Sequence, residues 1–137
     1  ALEFLNRFEV YLINTAEAAA RMCAEVGLDN VGVLYDTHDA NIEDPDPSLA
    51  LPMTGEHLFH VHLSESHRGT LGTVQVKWAE TFGALRAMDY RGWLTIEAFG
   101  TDDASIVHAA NVWRNAFESP EQLYRDGFAF IRAGIEE

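Results

Sequence analysis

Four residues of this sequence have the types and spacing of a cation centre: Glu3, Asp36, His62 and Glu97. Each stands toward the C-terminal end of a short β-rich run, at Ala1–Leu5, Val31–Asp36, Leu58–Ser64 and Trp93–Phe99. Side chains alternate faces along a strand. In the third run Phe59, Val61 and Leu63 make an apolar face, so Leu58, His60, His62 and Ser64 take the other. In the fourth, Leu94, Ile96 and Ala98 oppose Thr95 and Glu97. In the second, Val31, Val33 and Tyr35 oppose Leu34 and Asp36, and in the first Leu2 and Phe4 oppose Glu3. The apolar faces must meet covering helices, which leaves one ionisable group per strand end on a common inner face. Three carboxylates and an imidazole gathered there would desolvate and repel one another without a cation among them. Three oxygen donors and one nitrogen suit Mn2+, Mg2+ or Co2+ better than a structural zinc, which favours thiolates. Any one of the four, taken alone, is ordinarily a solvated group, a helix cap or an interior polar residue. The shared face is what argues for metal. His60 is read as a hydrogen-bonded interior histidine supporting the ligands.

The elements that must position these groups alternate in period. Helical patterns follow each β-rich run. The first takes Asn14 or Thr15 as its cap, Glu17 in its first turn, a core stripe near Ala19, Cys23 and Val26, and Gly27 as its stop. The second is cut to about one or two turns by Pro45, Pro47 and Pro52. The third has Trp78, Phe82, Leu85 and Met88 at helical spacing. An extra helix is predicted from roughly Asp103 to Phe117. The last opens on Ser119-Pro120-Glu121-Gln122, a capping box with proline at the first helical position, and Leu123, Phe130, Ile131 and Ile135 supply its apolar face. Strand–helix alternation predicts an α/β fold with a parallel sheet. Four such units make half of an eightfold barrel or a small open sheet. The polar inner face favours the half-barrel, because barrels gather their site at the C-terminal strand ends. Residues 1–137 read as a single domain, with no linker between units.

Composition narrows the functional classes. The 137 residues are 47% hydrophobic, enough for a packed core, and the formal net charge is −13. That charge opposes binding to nucleic acid or to an anionic membrane surface. No apolar run approaches the roughly 20 residues of a membrane span, and no signal peptide is visible. The one cysteine, Cys23, sits in an alanine-rich helical pattern and reads as a small buried residue; its lack of a partner fits a reducing cytoplasm. The chain opens within a strand at Ala1, so a preceding segment is expected. No glycine-rich phosphate fingerprint precedes a helix. Ser64 and Ser66 lie near His62 and His67 without an oxyanion loop, which disfavours a hydrolase.

Several segments together resemble the D-tagatose 3-epimerase and D-psicose (allulose) 3-epimerase group of the xylose isomerase-like barrels. They are Leu2-Glu3-Phe4-Leu5-Asn6-Arg7-Phe8-Glu9, Asp36-Thr37 with Asn41-Ile42-Glu43, His60-Val61-His62-Leu63-Ser64-Glu65, Ile96-Glu97-Ala98-Phe99 and Val112-Trp113-Arg114. The resemblance implies the C-terminal half of a (β/α)8 TIM barrel, with strands five to eight present. It implies metal binding by Glu3, Asp36, His62 and Glu97, with Glu3 and Glu97 also acting as the acid–base pair. It assigns substrate contacts to Glu9 and Arg68. One position departs from the group. A histidine usually stands three residues after the metal aspartate, but here that place is Asp39, with His38 one earlier. An acceptor-only carboxylate does not replace a donating imidazole. Either the loop shifts to bring His38 in, or the preferred sugar differs.

The activity so implied is epimerisation at C3 of a ketose through a metal-stabilised cis-enediolate, one glutamate removing the proton and the other returning one to the opposite face. Gly69 and Gly72 predict either a mobile loop closing over substrate or an ordinary turn. Two alternatives stay open. One is another enzyme of the same superfamily, an aldose–ketose isomerase or an inosose dehydratase. The other is a catalytically inactive half-barrel that binds metal and self-associates. Four strands leave two sheet edges unpaired, so a homo-oligomer or association with an N-terminal half is expected, and the isolated chain is expected to be weakly active or inactive.

Overall fold

The computed structural model describes residues 1–136. Its element order is β1 (Leu2–Glu3), α1 (Ala16–Val26), β2 (Val33–Asp36), α2 (Thr37–Glu43), α3 (Pro47–Thr54), a 3-10 turn (Gly55–His57), β3 (Leu58–Leu63), α4 (Trp78–Ala87), β4 (Trp93–Ile96), α5 (Ala104–Ala110) and α6 (Pro120–Glu136). The four strands form one parallel sheet in chain order β1-β2-β3-β4. Parallel neighbours in chain order require each return path to cross one face of the sheet, and that is where the helices lie. Neither β1 nor β4 has an outer partner strand among the described residues.

Local chemistry sets the helix ends. Thr15 caps α1 by accepting from the Ala18 N–H at 3.2 Å, and Gly27 ends it in the left-handed region at φ 64°. Pro47 opens α3, and Pro52 lies within it. The proline-broken second unit therefore folds as two short helices, α2 and α3, rather than one. Ser119 caps α6, accepting from the Gln122 N–H at 3.2 Å. The Gln122 side chain returns to the N–H of Glu118, one residue earlier than in an ideal capping box. The helix predicted across 103–117 closes at Ala110, where Asn111 takes a left-handed conformation.

The core lies between the sheet and its helices. Phe4, Val33, Tyr35, Val61 and Leu63 present the sheet's buried face, with no exposed surface. Ala16, Ala19 and Cys23 face them from α1, where small side chains allow close approach. Val26, expected in this stripe, is exposed instead because it ends the helix beyond the sheet. Phe82 of α4 stacks on Trp78 at 5.7 Å and meets Phe130 of α6 at 5.6 Å. A Cβ on Gly134 would lie 2.2 Å from the Phe82 ring, so α6 packs against α4 through a glycine. Phe59, predicted on the apolar face of β3, stays 40% exposed because it lies near the strand's start, where the helical cover ends.

Candidate metal centre and its surroundings

Register delivers the inner-face residues to one place. Asp36 is paired with His62 across β2 and β3, and His62 with Thr95 across β3 and β4. Glu97 stands two residues beyond Thr95, past the end of β4, yet its N–H still bonds the Leu63 carbonyl at 3.0 Å. Glu3 ends β1 on the same side. One ligand atom from each of Glu3, Asp36, His62 and Glu97 lies within 4.8 Å of every other. The outermost strands, β1 and β4, thus supply two carboxylates that converge over the middle of the sheet.

The Asp36-Thr37 pair explains part of this alignment. Asp36 Oδ1 caps α2 through the His38 N–H at 2.6 Å, which leaves Oδ2 for the centre. The Thr37 hydroxyl donates to the Ser64 carbonyl at 2.7 Å and accepts from the Ser64 N–H at 2.8 Å, with both residues buried. This reciprocal clasp fixes the C-terminal end of β2 against that of β3, and so holds Asp36 beside His62. His60 Nε2 lies 2.9 Å from the Thr95 hydroxyl, hydrogen-bonded as expected but to a residue that is not among the ligand candidates.

The donor set fits a divalent cation. His62 Nδ1 lies 3.1 Å from Glu97 Oε1, 3.3 Å from Glu3 Oε1 and 3.9 Å from Asp36 Oδ2. None of these approaches is aligned as a hydrogen bond, so a buried ring nitrogen stands close to three carboxylates and is bonded to none among the described residues. The carboxylates of Glu3 and Glu97 outweigh burial and push His62 up to about 10. Burial pushes Glu97 up, but His62, Asp36 and Arg68 outweigh it and hold the carboxyl at about 2. Asp36 is raised, by burial first and then by Glu97. The oxygen and nitrogen donors match a hard or borderline divalent ion, which could be held among them.

Arg68 joins the centre to its neighbours. Its Nη1 lies 3.1 Å from both Asp36 Oδ2 and Ser64 Oγ and contacts Glu97 Oε2. Its Nη2 lies 3.7 Å from Asp39 Oδ2 and 3.8 Å from Glu9 Oε1. The guanidinium also sits 5.0 Å from the Phe99 ring centroid, within cation–π reach. The resemblance implied a substrate contact for Arg68; the fold sets it against two of the metal-ligand candidates. Asp39 is fully buried, accepting on Oδ1 from the Asn6 N–H at 2.8 Å and its side-chain amide at 2.6 Å. The loop leaves Asp39, at the place where the resembling group has histidine, beside Arg68. His38 turns its Nδ1 to the Glu65 carbonyl at 3.3 Å, and burial, with Arg68 next, lowers it to about 4. Glu9 is held by the Asn6 amide at 2.8 Å.

The sequence pattern did not single out Glu65 or Asn6 as organisers. Glu65 is fully buried and accepts five hydrogen bonds. Oε1 takes the N–H groups of Ser66 at 2.9 Å, Gln75 at 3.2 Å and Val76 at 3.1 Å. Oε2 takes the Gly72 N–H at 3.0 Å and the Trp78 indole at 2.8 Å. Burial alone would raise its pKa, but the donors prevail and the carboxyl falls below its ordinary value. Within the loop so tied, Arg68 adopts φ 60°, a conformation uncommon outside glycine, held by its N–H to the Glu65 carbonyl at 2.8 Å and by the Phe99 N–H to its own carbonyl at 2.9 Å. Gly69 packs so close that a Cβ would lie 2.3 Å from the Ala116 carbonyl oxygen. These contacts favour an anchored turn over a free flap.

Together these features define a parallel α/β half-barrel whose strand ends carry an acid-and-imidazole centre beside a buried arginine. The model of the xylose isomerase-like TIM barrel family matches residues 1–134, and the chain belongs to that family. It is 36% identical over 137 residues to the L-ribulose 3-epimerase of Mesorhizobium japonicum, covering 98% of this chain and 46% of that one. A solved structure of an L-ribulose 3-epimerase superposes with a TM-score of 0.94 at 36% identity, covering 98% of this chain and 46% of the other. The D-allulose 3-epimerase of Methylomonas sp. in complex with D-allulose gives 0.92 at 35% identity, with 96% and 46% covered. The chain therefore spans about half the length of the relatives it matches, in keeping with half of a TIM barrel. No helix among the described residues is long and apolar enough to cross a membrane.

Proposed function

We propose that this chain supplies the metal- and proton-handling half of a ketose 3-epimerase. The observation that carries the reading is the convergence of Glu3 and Glu97, from the two outermost strands, to within 4.8 Å of each other and of Asp36 and His62. Inverting a carbon centre needs a proton acceptor and a proton donor that reach it from different directions, and two carboxylates arriving from opposite edges of the sheet meet that need. Asp36 and His62, with the two glutamates, would hold Mn2+, Co2+ or Mg2+. Bound there, the ion supplies Lewis-acid polarisation of the sugar oxygens beside the acidic C–H. One glutamate takes the proton from C3 and the other returns a proton to the opposite face. Arg68 and Glu9, with Asp39 and His38 behind them, orient the sugar hydroxyls, and such orientation is itself a rate factor. The 3-epimerase names of the three proteins compared above support a ketose as substrate and C3 as the reacting carbon.

The test is product analysis with a panel of ketoses and aldoses in Mn2+ and D2O, on the chain alone and on the chain joined to the complementary half of a relative. Interconversion of fructose and psicose with deuterium entering at C3 is expected, abolished by E3Q or E97Q. Products that are only aldoses would reject the reading in favour of an aldose–ketose isomerase. A second reading rests on the unpaired edges of β1 and β4 and on Trp93, 77% exposed on the edge strand: the half-barrel alone binds metal, self-associates and is inactive. Sedimentation of the isolated chain as a stable monomer would remove its self-association.

A further inference from the structure

We infer that Asp39 is a positioning residue for Arg68, the counter-ion that receives the guanidinium when the carboxylates of Asp36 and Glu97 turn to a divalent cation. The inference rests on the metal-centre reading above. Arg68 Nη1 draws on Asp36 Oδ2, at 3.1 Å, and on Glu97 Oε2. These are residues whose oxygens the cation centre also requires. The same carboxylates cannot serve a guanidinium and a divalent ion at full strength, because the two cations repel at such range. Arg68 is held by its backbone at φ 60° and by the Phe99 ring, so its head group has little freedom to leave the site. It needs an acceptor within reach.

Asp39 offers that acceptor. It is fully buried, and its Oδ1 is already committed to Asn6. Its Oδ2 is buried and has no hydrogen-bond partner among the described residues. A buried oxygen without a donor is costly unless a partner is available. The nearest cation is Arg68 Nη2 at 3.7 Å, less than about one ångström beyond hydrogen-bond distance. Glu9 lies equally near, at 3.8 Å, but that Oε1 already accepts from Asn6 and the side chain is 30% exposed. Asp39 is therefore the better-placed counter-charge. The carboxylate at this position, where the resembling group carries histidine, gives Arg68 an ionic partner that an imidazole does not provide.

The experiment is a double-mutant cycle on Mn2+ affinity of the 137-residue chain, read by electron paramagnetic resonance, with D39N, R68M and the pair. The D39N side chain keeps the oxygen that Asn6 requires but loses the charge. D39N is expected to weaken Mn2+ binding about tenfold in the wild-type background, because the guanidinium then stays on Asp36 and Glu97. In the R68M background the same change is expected to cost less than about threefold, the remainder being its long-range field. D39E, which restores the charge, is expected to recover part of the loss. Equal losses from D39N in both backgrounds would overturn the inference while leaving the metal centre intact. A wild-type chain that takes up no Mn2+ overturns both. If D39N does not fold, a crystal structure of the Mn2+-loaded wild type decides. Arg68 Nη2 within hydrogen-bond distance of Asp39 Oδ2 supports the inference, and a guanidinium still on Asp36 and Glu97 refutes it.

Discussion

Replacing Glu65 with glutamine should be among the most damaging single changes in the chain, although the residue touches none of the metal-ligand candidates. Its carboxylate accepts five hydrogen bonds in a fully buried position. Glutamine keeps one acceptor oxygen, which can serve the three N–H groups of Ser66, Gln75 and Val76. Its amide nitrogen then faces the Gly72 N–H and the Trp78 indole, donor against donor. Hydrogen bonds to a buried charge are worth about 1.5–3 kcal/mol each, so the loss of two predicts about 3–6 kcal/mol of destabilisation. That is a large share of the roughly 5–15 kcal/mol that holds an ordinary domain. The assay is urea unfolding of E65Q followed by tryptophan fluorescence. The depressed pKa adds a pH signature. A carboxyl held below its ordinary value contributes fully above about pH 4.3 and loses that contribution as pH falls through its folded value. The gap between wild type and E65Q should therefore narrow in acid. A loss under about 1 kcal/mol, or a gap constant from about pH 7 to about pH 3, would refute the account of the loop.

Three further outcomes follow from the packing. F82A should cost about 3–5 kcal/mol, since the ring is 3% exposed between Trp78 and Phe130 and its removal leaves a cavity at the α4–α6 contact; thermal or urea unfolding measures it. T37V should cost about 2–3 kcal/mol by stranding the buried Ser64 N–H, and Mn2+ affinity, measured by calorimetry, should fall as Asp36 loses its alignment with His62. G27A should cost about 1 kcal/mol in thermal denaturation, because φ 64° strains any residue with a Cβ although the space there is open, with the nearest atom at 3.8 Å.

Legibility in the sequence tracked the physical origin of each feature. Strand faces were readable because the period-two alternation of Val61-His62-Leu63 and Leu94-Thr95-Ile96 reflects a sheet with one face under helices. The convergence of Glu3, Asp36, His62 and Glu97 followed from it, since parallel register carries one inward group per strand to the same level. Helix caps at Thr15, Gly27 and Ser119 were legible for the same reason: they answer to local backbone chemistry. What escaped was long-range. The five donors around Glu65 are spread from Ser66 to Trp78, and no local pattern announces that they meet on one carboxylate. Asn6 bridging Glu9 and Asp39 depends on how the β1–α1 loop folds over α2. The early close of α5 at Ala110 turns on a left-handed Asn111 that helical periodicity does not anticipate.

All four candidate ligands stand on, or one residue beyond, one contiguous set of strands, tied by the Thr37–Ser64 clasp. The candidate ligands are thus brought together without closure of a complete barrel. On the function proposed above, the ion-holding groups come together without the strands that would form the opposite wall.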